Sequence, residues 1–206
     1  MKIERFVLGP VQTNTYLVYN ENSKEGVIID PAVYDTEMIR TINEVGLNIK
    51  YILITHGHFD HVTGLSELKK QVSAPICMNP ADLAIMPIDE KGMVNQVGFS
   101  FEAFQPDINL SDNQQLKVGS LNFSVIHTPG HTPGCVCFYF AEEKVLFSGD
   151  TLFQSAIGRT DFPLGSYEQI ISSITNKLLT LPESANVYPG HGEKTTIRQE
   201  KLHFIA

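Results

Sequence analysis

Basic side chains are scarce in this 206-residue chain: 15 lysines and arginines stand against 23 aspartates and glutamates, a formal net charge of −8. Gripping a nucleic-acid backbone takes clusters of Lys and Arg that neutralise phosphates. The densest group here is Lys69-Lys70, so no nucleic-acid partner is expected. Cysteine is sparse too. Cys77, Cys135 and Cys137 are odd in number and no Cys-x-x-Cys occurs, so reduced thiols are expected rather than a disulfide framework. No apolar run approaches the roughly 20 residues of a membrane helix. The first ten residues carry early charge and no apolar stretch of the signal-peptide kind. A cytoplasmic protein with no membrane partner is the expectation. Repeats, low-complexity tracts and linkers are missing as well. A chain of this length buries roughly 70% of its unfolded surface, so one domain over residues 1–206 is expected.

What is present reads as blocks of strand and helix. Ile3 to Leu8, Thr15 to Tyr19 and Gly26 to Asp30 have strand character, the last ended by Pro31. Asp35 to Val45 has helical spacing with Gly46 at its stop. Tyr51 to Thr55 is a compact apolar strand, and His61 to Val72 reads as one helix. Prolines and glycines break residues 79 to 106 into short helices and a long surface loop. Strands return at Leu116–Val118 and Leu121–His127 around a Gly119-Ser120 turn, then at Cys135–Phe140 and Lys144–Ser148. Ser166 to Leu179 is amphipathic, Asn186 to Tyr188 is a last strand, and Thr195 to Lys201 a last helix. Hairpins inside the strand blocks indicate an α/β fold of two mixed sheets covered by helices, not a doubly wound parallel sheet.

The histidines are the chemical signal. Three of the seven fall in His56-Gly57-His58-Phe59-Asp60-His61, directly after an apolar strand. Imidazole nitrogen and carboxylate oxygen are donors that zinc, iron and manganese accept. The same context recurs at His131 after Thr128-Pro129-Gly130, at Asp150 after Gly149, and at His191 after Pro189-Gly190. Loops at strand ends are where rigid scaffolds place chemistry. Five histidines and two aspartates exceed one tetrahedral ion. They suit two ions about 3.5–4 Å apart with a bridging carboxylate. Spacing leaves open which side chain serves which ion.

At these residues the chain resembles the metallo-β-lactamase superfamily. Thr55-His56-Gly57-His58-Phe59-Asp60-His61 matches its H-x-H-x-D-H signature. Thr128 to Gly134, Gly149-Asp150-Thr151-Leu152-Phe153 and Tyr188-Pro189-Gly190-His191-Gly192 look like its remaining metal motifs. The wording is most similar to the glyoxalase II-like (hydroxyacylglutathione hydrolase-like) branch. The resemblance implies a four-layer αβ/βα sandwich with two divalent metals in a cleft at one sheet edge. It assigns His56, His58 and His131 to the first metal, Asp60, His61 and His191 to the second, and Asp150 to the bridge. Zinc is the expected metal, with iron or manganese compatible with the same donors. His127, four residues before His131, is read as a packing residue, and His203 has no motif around it.

The implied chemistry is hydrolysis. Water held between two metals ionises near neutral pH and attacks an ester, thioester or lactam carbonyl while the metals offset the charge that develops. Asp60 is the candidate catalytic residue, orienting the nucleophile and accepting its proton. No Ser-His-Asp arrangement is required, and no Gly-x-Ser-x-Gly is present. Arg159 is the candidate substrate anchor, able to fork a carboxylate. The competing reading is that it staples its loop to Asp161. Phe99, Phe101 and Phe104 are read as packing, with a lid as the alternative. Authentic glyoxalase II carries a C-terminal helical domain that supplies much of its glutathione site. This chain ends fifteen residues after His191, so a short form is expected. The expected activity is thioester hydrolysis on a small-molecule substrate, with lactone or lactam hydrolysis as variants. Persulfide dioxygenases share the scaffold and the Gly-Arg-Thr-Asp-Phe of residues 158 to 162, but use one iron and part of the ligand set. The complete set here favours two metals.

Overall fold

The computed structural model describes residues 1–86 and 103–205. Its first sheet runs β1 (Lys2–Leu8), β2 (Thr13–Tyr19), β3 (Glu25–Ile29), β4 (Asn48–Leu53), β5 (Ile76–Met78), β6 (Ile108–Asn109) in that spatial order. β1 to β3 pair antiparallel, and β3 to β6 pair parallel. The second sheet contains β7 (Gln115–Val118), β8 (Leu121–His127), β9 (Val136–Phe140) and β10 (Val145–Gly149). A small separate hairpin follows, β11 (Leu152–Phe153) with β12 (Ala156–Ile157). β13 (Asn186–Pro189) then pairs parallel with β10, and β14 (Thr195–Thr196) closes the edge. Both sheets are mixed.

Side chains alternate across a strand, and here both faces are covered. From β2, Tyr16 and Val18 point to the space between the sheets, where they meet Phe123, Phe138, Phe140 and Phe147 of the second sheet. Leu17 and Tyr19 point the other way, onto Met38 and Ile42 of α1 (Thr36–Val45) and onto α2 (Phe59–Val62) and α3 (Leu65–Leu68). From β9, Val136, Phe138 and Phe140 face inward. Cys137 and Tyr139 face α4 (Tyr167–Asn176) and α5 (Ile197–Ile205). Strands buried on both faces read as continuous apolar runs. That is the pattern of Ile28-Ile29 and of Val136 to Phe140. The result is the four-layer sandwich of two mixed sheets flanked by helices.

Local signals set the boundaries. Asp35 caps α1 by accepting from the Met38 amide at 2.7 Å, and Gly46 ends it in the left-handed region. The Gly119-Ser120 turn joins paired Val118 and Leu121. The single helix expected over His61–Val72 is two short helices. The Gly64 amide leaves the helical ladder and donates to the Pro31 carbonyl at 3.0 Å, so α2 stops at Val62 and α3 restarts at Leu65. Of the aromatics between residues 79 and 106, Phe99 and Phe101 lie outside the described residues. Phe104 packs on the helix-covered face of the first sheet. The three cysteines are buried and free. No helix of the described residues is long and apolar enough to cross a membrane.

Phe138 is fully buried between the sheets. Phe138→Ala is expected to cost about 3–5 kcal/mol of unfolding free energy. Val7→Ala, at an exposed site, is expected to stay within about 0.5 kcal/mol. Chemical denaturation of both variants checks the difference.

Candidate metal centre

The topology sends the candidate residues to one edge. β8 and β9 are antiparallel, as are β9 and β10, so β8 and β10 run the same way, and β13 runs with them. Their C-terminal ends therefore share an edge and deliver His131, Asp150 and His191. β4 of the first sheet delivers His56 and His58 just past its end, with Asp60 and His61 in the first turn of α2. The sheets are sewn together there. The Thr55 carbonyl accepts from the Val136 amide at 2.8 Å, and the Asn14 amide donates to Gly190 at 2.7 Å. Asn14 Nδ2 also donates to the carbonyls of Pro189 and Gly192, both at 2.9 Å.

All seven candidate donors converge. Donor atoms of His56, His58 and His131 lie within 4.8 Å of one another, as do those of Asp60, His61 and His191. A further group of the same tightness joins His56, His61 and Asp150. Asp150 reaches both halves. Its Oδ2 is 3.6 Å from His131 Nε2 and 3.5 Å from His191 Nε2, and its Oδ1 is 3.5 Å from His61 Nε2. His127 does not join. Its Nε2 donates to the Pro133 carbonyl at 2.9 Å, stapling its own loop. His203 packs beside Phe204 on α5.

Hydrogen bonds at the rear of each ring decide which nitrogen faces inward. The Thr55 hydroxyl donates its one proton to Asp30 Oδ2 at 2.6 Å. His56 Nδ1, 3.1 Å from the same hydroxyl, must therefore donate to it. His61 Nδ1 donates to Asp30 Oδ2 at 2.9 Å, His131 Nδ1 to the Arg159 carbonyl at 2.7 Å, and His191 Nδ1 to the Val11 carbonyl at 3.2 Å. Four imidazoles thus carry a proton at the rear and present Nε2 inward, the arrangement that fixes a metal-ligating tautomer. His58 is turned the other way, its Nδ1 2.9 Å from His131 Nε2. Among the described residues, His56 Nε2, His61 Nε2 and Asp150 Oδ1 are buried with no hydrogen-bond partner. Buried polar atoms are rarely left so, and three of them at one point suit a cation.

Burial drives His56 well below the usual histidine range, with the neighbouring imidazoles adding to it. Burial and His131 bring His58 down to about 3. Both are neutral and ready to donate a lone pair. Burial also opposes charge on His61, but Asp60, Asp150 and Asp30 outweigh it and raise that group to about 10. On His191 the Asp60 hydrogen bond and the Asp150 charge likewise prevail over burial and raise it. Burial pushes Asp60 up, yet His61, His191 and the Thr13 hydroxyl at 2.8 Å hold it below the usual carboxylate range.

The cluster floors a cavity of about 470 Å³ whose walls include Val11, Phe153, Ile157, Arg159 and Phe162. Arg159 Nε and Nη2 donate to the Asp161 carboxylate at 2.8 and 2.7 Å, and the guanidinium lies 3.7 Å above the Phe162 ring. The Phe162 ring in turn meets the edge of His58. Asp30 and Thr13 were not singled out from the sequence. Asp30 had a signal, since it ends a buried strand as Asp150 does, but without the glycine.

A family model described as the metallo-beta-lactamase superfamily matches residues 8–191. The chain belongs to that superfamily. It is 40% identical over 203 residues to hydroxyacylglutathione hydrolase GloC of Haemophilus influenzae, covering 98% of this chain and 95% of that one. Two crystal structures are similar over nearly their whole length. BLEG-1 B3 metallo-beta-lactamase has a TM-score of 0.89 and 40% identity, covering 98% of this chain and 97% of that one. TTHA1623 in a di-iron-bound form has a TM-score of 0.84 and 34% identity, covering 96% of each. This superfamily member thus carries a histidine–aspartate cluster fit to bind metal.

A group raised to about 10 is protonated at pH 7, so an ion on His61 Nε2 must take the place of a proton. Metal loading is expected to release protons at neutral pH, with affinity climbing as pH rises towards about 10 and flattening above it. Calorimetry in buffers of different ionisation enthalpy reads the proton count, and metal uptake without proton release at pH 7 refutes the assignment.

Proposed function

We propose that this chain is a binuclear metal-dependent hydrolase of thioesters, S-2-hydroxyacylglutathiones and related small acyl compounds, with lactones and lactams as variants. The observation that carries the reading is Asp150 standing between two three-donor sets, with unpartnered atoms of His56, His61 and Asp150 turned to one point. His56, His58 and His131 would hold one divalent ion and Asp60, His61 and His191 the other, with Asp150 available to both. Zinc is the proposed metal, with iron or manganese as outcomes of metal analysis. When bound, the ions supply a water acidic enough to attack at neutral pH and Lewis acidity at the acyl carbonyl.

The chain's own residues do the rest. His61 and His191 keep Asp60 ionised and Thr13 fixes it by a hydrogen bond to Oδ2, so the carboxylate orients the attacking water and takes up its proton. The apolar wall of Phe153, Ile157 and Phe162 excludes bulk water and strengthens each electrostatic contact inside. Arg159 anchors a substrate carboxylate at the mouth by exchanging it for Asp161. Among the described residues lining the cavity it is the one arginine or lysine. A glutathione thiol with two carboxylates is therefore gripped weakly. The hydroxyacylglutathione hydrolase relative supports the substrate class.

Three outcomes are expected. His131→Ala should lose the ion of its own set and with it activity, His191→Ala should hold about one ion per chain, and His127→Ala should keep two. Metal analysis of the three variants checks this, and loss at His127 with retention at His131 reverses the assignment. On protein of measured metal content, S-lactoylglutathione should be hydrolysed with KM at or above about 1 mM, the top of the ordinary range. Arg159→Ala should raise KM about tenfold for carboxylate-bearing substrates with kcat little changed, the mark of lost uniform binding. Iron-dependent oxygen uptake with a persulfide and no hydrolysis replaces the hydrolase reading with a dioxygenase.

A further inference from the structure

We infer that Asp82 is a positioning residue that sets the spacing of His56, His58 and His131 by clamping together the two loops that carry them. The inference rests on the metal reading above and deepens it. Asp82 belongs to a short 3₁₀ turn, Pro80–Ala84, started by Asn79, whose side chain accepts from the Ala81 amide at 3.0 Å. It is fully buried. Its Oδ2 accepts from the Gly57 amide at 2.8 Å and from the Thr132 hydroxyl at 2.7 Å. Its Oδ1 accepts from the Gly134 amide at 2.5 Å. One donor sits between His56 and His58, and two follow His131 in its turn.

The loops close on the carboxylate from both sides. A Cβ at Gly57 would stand 2.9 Å from the Asp82 carbonyl oxygen, and one at Gly134 would stand 2.6 Å from Oδ1. Only glycine allows either approach. Among the described residues no cation pairs with Asp82. A buried carboxylate without a counter-charge is costly to keep, and replacing it by an apolar group would leave three donors unmet. All three partners donate, so an amide at this position turns an N–H towards one of them. Asparagine therefore keeps the volume and breaks the clamp.

Asp82 makes no hydrogen bond to the other donor set. His61 is braced by Asp30, Asp60 by Thr13, and the His191 turn by Asn14. The clamp thus acts on one ion and not the other. A merely structural role would not show that selectivity.

The test titrates metal-free full-length protein with Co²⁺, followed by visible absorption and equilibrium dialysis. His191→Ala isolates the His56–His58–His131 set, and His58→Ala isolates the Asp60–His61–His191 set. Adding Asp82→Asn to the first background should weaken Co²⁺ binding at least tenfold, in the range seen for groups that orient metal ligands. Adding it to the second should change affinity less than about twofold, because the braces there are untouched. Thr132→Val, which removes one of the three donors at nearly constant volume, should weaken the first set about threefold with the same selectivity. It carries the test should Asp82→Asn fail to fold. Equal loss in both backgrounds, or no loss in the first, overturns the clamp while the parent chain still binds two ions. A parent chain that binds no Co²⁺ overturns the metal reading itself, and the clamp with it.

Discussion

The carboxylate of Asp30 is the contact on which the centre depends. Its Oδ1 accepts from the Thr55 amide at 2.8 Å, and its Oδ2 takes the Thr55 hydroxyl and His61 Nδ1. Through Thr55 it dictates the tautomer of His56, and directly it dictates that of His61. It also ties the end of β3 to the residue past β4, so the parallel pair that begins the site cannot slide. The backbone bears a cost for this. Asp30 adopts φ 50°, a left-handed conformation uncommon for residues other than glycine. A strained residue persists where its surroundings over-determine it, and here three hydrogen bonds do so.

Around that contact the two sheets act as separate carriers. The first supplies the dense cluster from β4 and α2. The second supplies three single donors from strands that share a direction. Neither sheet holds a complete set, since each triad of donors draws on both. The precision of the site is therefore the precision of the seam between the sheets. That explains why so many buried polar contacts cross it: Val136 to Thr55, Asn14 to Pro189 and Gly192, Tyr16 to Pro189, and Thr132 to Asp82. The Phe138 and Phe147 layer beneath fixes the distance between the sheets, and the polar stitches fix their register at the edge. Packing sets a separation in the way close-packed interiors do, but it cannot orient an imidazole.

The histidines and aspartates that converge stood out in the sequence because each sits in a local motif, a short apolar strand followed by a turn. The sheets were legible for the same reason, since doubly buried strands leave continuous apolar runs. What was hidden has its cause far along the chain. Asp30 meets Thr55 and His61, 25 and 31 residues away, and Asp82 meets Gly57 and Thr132, 25 and 50 residues away. A lone aspartate after a strand or in a proline-rich stretch carries no spacing that betrays such partners. β5 and β6 are three and two residues long, too short for a period to register. The helix over His61–Val72 had the right periodicity, and the Pro31 carbonyl overrode it by drawing off the Gly64 amide.

The charges in the centre are distributed unevenly, and the positions of the carboxylates explain why. Asp30 and Asp60 lie on the His61 and His191 side, and Asp150 stands within 3.6 Å of both halves. The carboxylates therefore hold a proton on His61 and favour one on His191, while His56 and His58, buried and crowded by other imidazoles, stay neutral. His56 and His58 are already in the neutral form an ion needs. His61 carries a proton that an ion must displace. A cation placed in the first set repels the protons of the second and lowers the cost of clearing them. The coupling runs through Asp150, whose charge both halves share. Asp150 thus lies where the protonation of one half is felt by the other, as expected of titrating groups that interact strongly.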